Sequence, residues 1–267
     1  MRISAVVPVL LLLPAAASQA ETRLLMTAIE QRSGKPVTDL KAEELTVTDD
    51  KTARSVVSLS YTPGPIDVML MVDTSLVGGM VAPLAERLIA QIDGKEQMAI
   101  VSFADSAEML QDFTATKERL MQSLSQVKFG NQPQILDALY AAINGGFENA
   151  AYRRVILLLT AGIEGYSRVN EKEVFRLARR NGVSIYPVYV AGTDRGLFEK
   201  LARMTGGASF NLRDMTRNTK ESPAPRIFEV LRAHYVLTLR GNQDVSEKLK
   251  IEARRQEKLL LSALPLE

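Results

Sequence analysis

The fold class this 267-residue sequence predicts is α/β: a mostly parallel sheet with helices on both faces, one antiparallel edge strand and a small β unit beside it. Three observations carry the prediction. From Asp67 onward, strand-sized apolar runs alternate with stretches of helical period, the signature of a covered parallel sheet. The first of these runs, VMLMV over residues 68–72, has no polar face, as a strand buried on both sides requires. It leads into Asp73, Thr74 and Ser75 and then Gly78 and Gly79, a carboxylate and hydroxyls placed where open α/β sheets bind ligands. Both ends of the chain read instead as half-buried β.

Residues 1–20 read as a secretory signal. Arg2 supplies the positive end, residues 5–13 the apolar core, and Ser18-Gln19-Ala20 a small-x-small cleavage site. The core is too short to span a bilayer, which takes roughly 20 apolar residues, and Pro14 interrupts it. The expected mature chain begins at Glu21, is exported to the periplasm or beyond the cell, and inserts in no membrane. Without Arg2 it carries 32 basic against 31 acidic residues, so neither nucleic acid nor an anionic membrane surface is an expected partner. The absence of cysteine excludes thiol catalysis and cysteine metal sites. It also suits an oxidising compartment met by avoidance rather than by disulfides. His234 is the only histidine, which argues against a Ser-His-Asp triad or a His-rich zinc site.

The N-terminal β unit is expected over residues 21–62, with strands at 24–29, 45–48 and 55–59 and a turn at 32–36 that places Gly34 where positive φ is cheap. Tyr61-Thr62-Pro63-Gly64-Pro65 reads as the linker to an α/β domain over residues 63–230. Its strands are expected at 68–72, 98–103, 109–113, 155–160, 185–190 and 209–212. Its helices are expected at 80–92, 116–127, 134–147, 171–180 and 196–204. Ile135, Leu139, Ile143 and Phe147 form the clearest helical stripe. The gap at 104–108 is too short for a crossover helix, so the third strand must return antiparallel to the second. Residues 231–267 resume β character, with strands at 234–239 and 249–253 expected to pack on the N-terminal unit.

Several stretches together resemble von Willebrand factor A domains: DVMLMVDTS from Asp67, AIVSFAD from Ala99, LDALYAAI from Leu136, RVILLLTAG from Arg154 and LARMTGGASF from Leu201. With the flanks GKPVTDLKAEELTV and LRAHYVL, the chain looks like the exported von Willebrand-A-related proteins abundant in acidobacteria. The resemblance implies a Rossmann-like fold with a ligand site at the carboxyl ends of the strands. It also implies a metal-ion-dependent adhesion site built from an Asp-x-Ser-x-Ser loop, a threonine before the Asp-Ala-Leu helix and the aspartate of a Thr-Asp-Gly.

This sequence departs from that site. Asp73 and Ser75 match, but the third loop position is Val77, the threonine position falls on Pro133, and the aspartate position is Ala161. If each lost oxygen weakens binding even ~10-fold, the total is on the order of 10³, or ~4 kcal/mol. The site is expected to be degenerate, with no metal and no cofactor. Glu164 or Asp105 supplying replacement oxygens is the alternative. Without a metal, Asp73 is expected to accept hydrogen bonds from the turn that follows it.

Leu76, Val77, Pro133, Ala161 and Ile163, with Glu164 beside them, are expected to replace the ion by an apolar rim, the surface of a protein-interaction module. A scaffold whose lost site is covered by a loop is the plainer alternative. Enzymatic chemistry is not expected. Gly78-Gly79 belongs to no Gly-x-Gly-x-x-Gly or Gly-Lys-Ser/Thr motif, and an Asp73–Glu164 carboxylate pair has no nucleophile–base set around it.

Overall fold

The computed structural model describes residues 20–76, 78–190, 192–217, 221–241 and 244–266. The signal segment, apart from Ala20, and Val77 therefore lie outside the described residues. The chain opens with β1 (Glu21–Glu30), β2 (Leu45–Asp49), β3 (Thr52–Arg54) and β4 (Val56–Tyr61). Next come β5 (Ile66–Asp73), α1 (Ala82–Ile89), β6 (Gln97–Phe103), β7 (Ala107–Thr114), α2 (Lys117–Leu124), α3 (Ile135–Gly145) and β8 (Arg153–Thr160). They are followed by α4 (Glu171–Arg180), β9 (Val183–Tyr189), α5 (Arg195–Met204), β10 (Phe210–Asn211), α6 (Leu212–Thr216) and α7 (Ala224–Arg232). β11 (Tyr235–Arg240), β12 (Lys250–Ala253) and β13 (Leu259–Pro265) close the described chain.

The central sheet has six strands in the order β10-β9-β8-β5-β6-β7, all parallel except β7, which returns antiparallel along β6 as the short gap between them demands. Every residue of β5 is buried. Val68, Leu70 and Val72 face α1 and α7 through Leu84, Leu88, Phe228 and Leu231. Met69 and Met71 face α3, α4 and α5 through Leu139, Val174 and Leu201. The period-2 alternation of the strand thus feeds two separate cores, which is why the run shows no polar face.

The ends of the chain build two further sheets, β13-β1-β11-β4 and β12-β2-β3, around a third core containing Leu24, Met26, Val47, Leu237 and Leu239. Among the described residues, no strand of the chain ends joins the six-stranded sheet. Hydroxyls join apolar packing, in which Ile29 of β1 enters the central core, to make the junction. Thr27 Oγ1 donates to the Gly206 carbonyl at 2.7 Å, and Ser262 Oγ to that of Gly207 at 2.5 Å. Both glycines are required there. Gly206 has φ +72°, and a Cβ on Gly207 would lie 2.0 Å from the Ile185 carbonyl oxygen.

Four details differ from the sequence reading. Only Phe210 and Asn211 of the stretch 209–212 are strand, because the Asn211 side chain turns to cap α6, accepting from the amides of Arg213 and Asp214. Helix α7, with Pro223 at its N-cap and Pro225 in its first turn, was not expected, yet proline is well tolerated in a helix's first turn. Asp50 and Lys51 adopt positive φ, 46° and 69°, and make a tight turn that adds strand β3. A third tail strand, β13, pairs along β1, and its mixed apolar sequence hides the alternation.

Two predictions follow from this packing. Gly207→Ala should cost about 3 kcal/mol in urea unfolding, at the upper end of overpacking effects. Gly145→Ala, where a Cβ meets nothing within 4 Å, should be neutral or slightly stabilising. The second concerns His234, whose ring is held neutral down to about pH 4 by burial first and by the nearby Arg153 charge second. The unfolded chain takes up this proton at about pH 6.5. His234 therefore withdraws stability as pH falls through the window from about 6.5 to about 4, and at most about 3 kcal/mol is at stake. Unfolding curves of His234→Asn should be flatter with pH across that window than those of the wild type.

Candidate functional site

Asp73 stands at the carboxyl end of the central strand and is 1% exposed. A buried carboxyl group must find donors, and three converge on it. Its Oδ1 accepts from the Ser75 amide at 2.9 Å. Its Oδ2 accepts from the Thr160 hydroxyl at 2.8 Å and from the Ala161 amide at 3.1 Å. Thr160 Oγ1 in turn accepts from the Gly162 amide at 3.1 Å. The bond to Ser75 is the turn contact the sequence reading expects. The two from the end of β8 come from a strand adjacent only in the folded sheet. Gly78 packs so closely that a Cβ would lie 2.0 Å from the Asp73 carbonyl oxygen.

Two further loops are laced to this point. The α2–α3 loop is tied down by the Gly130 amide on the Thr74 carbonyl and the Gln134 amide on that of Ala104, both at 3.0 Å. Asp105 accepts from the Asn131 and Gln132 amides in the same loop. The β8–α4 loop is joined to it by the Gly165 amide on the Pro133 carbonyl at 2.9 Å. Glu164 Oε2 accepts from the Ile135 amide at 2.9 Å, capping the first turn of α3. Burial pushes the Glu164 carboxyl above its ordinary range, partly opposed by its hydrogen bonds to Ser167 and the α3 amides. Asp137 accepts from the amides of Arg168 and Val169 and anchors the far side of that loop.

A magnesium ion requires about six hard oxygens in a near-octahedral shell, and the donors here do not fit it. Both Asp73 oxygens already serve the chain's own donors, and Pro133 and Ala161 carry no side-chain oxygen. The two acids that might replace them are committed elsewhere, Glu164 to α3 and Asp105 to the loop at 131–132. What remains is Ser75 Oγ, buried without a hydrogen-bond partner, and the similarly unpartnered Glu164 Oε1. Among the described residues, no group of three or more acidic, histidine or cysteine side chains is placed to hold a metal.

The rim is apolar, but not in the residues read from the sequence. Pro133 and Ala161 are buried and Ile163 is half-buried, so of the described members only Leu76 is freely exposed, at 79%. The loops present other side chains instead: Met80 at 59%, Phe129 at 70% and Tyr166 at 88%. With Leu76, these are the four most exposed large apolar residues described, and all stand on the three loops around Asp73. Sequence reasoning passed over Phe129 and Tyr166 because each is a single apolar residue with no periodic partner, and it counted Met80 into the expected helix at 80–92. An aromatic side chain in a loop of glycine and polar residues was the available signal.

The sequence profile of the von Willebrand factor type A domain matches residues 67–223, more than half of the chain, and the chain belongs to that family. Curated proteins offer no match. Among solved structures, the fold is similar to proximal thread matrix protein 1 from the mussel byssus, at 15% identity and a TM-score of 0.53, over 72% of this chain and 50% of that one. The same mussel protein with a zinc-occupied MIDAS motif gives a TM-score of 0.55 at 15% identity, with the same coverage. This chain therefore spans half the length of that relative. BatB from Bacteroides thetaiotaomicron is 14% identical, with a TM-score of 0.47 over 62% of this chain and 98% of that one.

If Asp73 is held by three donors, Asp73→Asn should be costly, because its amide nitrogen must face either the Ser75 amide or the Thr160 and Ala161 donors. The expected loss is about 2–3 kcal/mol in chemical unfolding, and Thr160→Val, which removes one donor, should lose about 1 kcal/mol.

Proposed function

Taking a von Willebrand factor type A protein as the premise, a member of a family of protein-interaction modules, we propose that this chain binds another protein without a bridging metal. The observation that carries the reading is the rim itself. The four most exposed large apolar side chains, Leu76, Met80, Phe129 and Tyr166, surround a carboxyl group whose oxygens are already used. Apolar side chains with aromatic anchors are what buries well at the centre of a protein interface. Asp73 and Ser75 then act as the frame that holds the loops, and Ile163 and Glu164 belong to the same mouth. The von Willebrand module of residues 63–230 is the binding part, and the β strands of residues 21–62 and 231–267 are its support. The proposed setting is the periplasm or the cell exterior, reached through the signal at residues 1–20. N-terminal sequencing of the native protein should find Glu21 first.

Two experiments test the reading. Affinity capture from exported fractions should recover a partner with the wild type, in EDTA as well as in magnesium. The variant Leu76→Ser/Phe129→Ser/Tyr166→Ser should lose it without a fall in melting temperature, since these side chains are exposed. Capture that needs magnesium would instead favour metal-dependent adhesion, with Ser75 and Glu164 supplying the oxygens. Titration with millimolar magnesium should show no saturable heat, whereas a site at 100 times its dissociation constant would add ~2.7 kcal/mol of stability. The triple change Val77→Ser/Pro133→Thr/Ala161→Asp should create metal-dependent stabilisation. Without the ion it should be less stable than the wild type, because a second carboxyl group then sits beside Asp73.

A further inference from the structure

Away from the rim, a cavity of about 540 Å³ opens where the sheet of the chain ends meets the β10 edge of the central sheet. Its size is that of a small-molecule site. Met215 and the half-exposed Leu260 give it an apolar wall, while Tyr189 and Phe210 lie buried behind its lining. Five cationic side chains line it, Arg32, Lys35, Arg195, Arg203 and Arg226, against only two acids, Glu199 and Asp214. Arg195 occupies both acids, at 2.7 Å and 3.9 Å. Arg32, Lys35, Arg203 and Arg226 are left without a carboxylate partner among the described residues. They come from three separate parts of the chain: the turn after β1, helix α5 and helix α7.

The turn that carries Arg32 and Lys35 is rigid. The Gly34 amide bonds to Glu30 and the Glu30 amide to Lys35, each at 2.9 Å, and the Gln31 amide reaches Lys258 at 2.8 Å. Gly34 has φ +66°, and Arg226 Nη1 donates to the Ser33 carbonyl at 3.3 Å, holding the turn against α7. Like charges held around one cavity repel each other, and an anion within it reverses that interaction. A backbone turn already held in place also lowers the ordering cost of binding.

We propose that this cavity binds a small organic anion with an aromatic or aliphatic body and at least one carboxylate, phosphate or sulfonate group. The body lies against Met215 and Leu260, and the charge faces Lys35, Arg203 and Arg226. Because both sheets wall the cavity, the bound anion bridges the chain ends to the von Willebrand module. The site is independent of the rim.

The test uses the full mature chain and 8-anilinonaphthalene-1-sulfonate, an aromatic body with one anionic group. Fluorescence titration should show one saturable site that weakens from low to high salt. Lys35→Glu/Arg203→Glu, two exposed positions, should lower the affinity about tenfold or more, with an unchanged melting temperature. If that variant fails to fold, Lys35→Gln/Arg203→Gln should show a smaller loss in the same direction. The rim variant Leu76→Ser/Phe129→Ser/Tyr166→Ser should bind the probe as the wild type does, which separates this site from the protein-binding surface. The uncharged analogue N-phenyl-1-naphthylamine should bind at least tenfold more weakly than the sulfonate. No saturable site, full affinity in the charge-reversed chain, loss of the site in the rim variant, or equal binding of the uncharged analogue would each overturn the proposal.

Discussion

Burying Asp73 at the end of the central strand constrains everything around the mouth of the sheet. A carboxyl group taken out of water costs several kcal/mol unless donors replace the solvent. The donors come from two places, the turn after β5 and the end of β8. The first requires the chain to fold back at once, which only a residue without a Cβ at Gly78 permits. The second requires β5 and β8 to be neighbours in register, so Asp73 tests the topology of the sheet as well as its own loop. A second aspartate repeats the device at the other end of the same strand. Asp67 is fully buried, and its Oδ2 accepts from the Ala151 and Tyr152 amides at 2.5 Å and 2.6 Å. The central strand is pinned at both ends to the segments that flank β8.

The remaining loops follow from these anchors. Once Thr74 is placed, its carbonyl receives the Gly130 amide, and the α2–α3 loop is drawn over the mouth. Pro133 then meets Gly165, and Glu164 meets the start of α3. Loop backbone satisfied in this way leaves side chains such as Phe129 and Tyr166 with nowhere to go but outward. Both carboxylate oxygens of Asp73 serve the chain's own amides and the Thr160 hydroxyl.

Polar contacts reinforce apolar packing at the joint between the sheets, where Ile29 of β1 enters the central core, and at the end of α7. Thr27 and Ser262 reach the carbonyls of Gly206 and Gly207, and Arg232 at the end of α7 grips the buried Glu96 carboxylate with two nitrogens at 2.8 Å and 2.6 Å. Such contacts set orientation more than they add stability, since desolvation offsets much of the gain from a buried ion pair. The cationic cavity lies between the two sheets where core does not fill the space.

Local pattern was sufficient for the class of fold. The unbroken apolar run before Asp73, the helical stripe from Ile135 and the short gap before β7 each follow from periodicity or chain length, which neighbours in sequence determine. That Pro133 and Ala161 bring no side-chain oxygen was equally legible, because residue type alone decides it. What only the tertiary structure decided was where the surviving groups point. Asp73 meets Thr160 across 87 positions of chain and Glu164 meets Ile135 across 29, and neither pairing leaves a periodic trace. For the same reason Pro133 and Ala161, apolar in the sequence and expected on the rim, are buried, while Phe129 and Tyr166, isolated in their loops, form it. Burial of a loop residue depends on which other loop lies over it, and that is settled by long-range hydrogen bonds rather than by the residue's own neighbours.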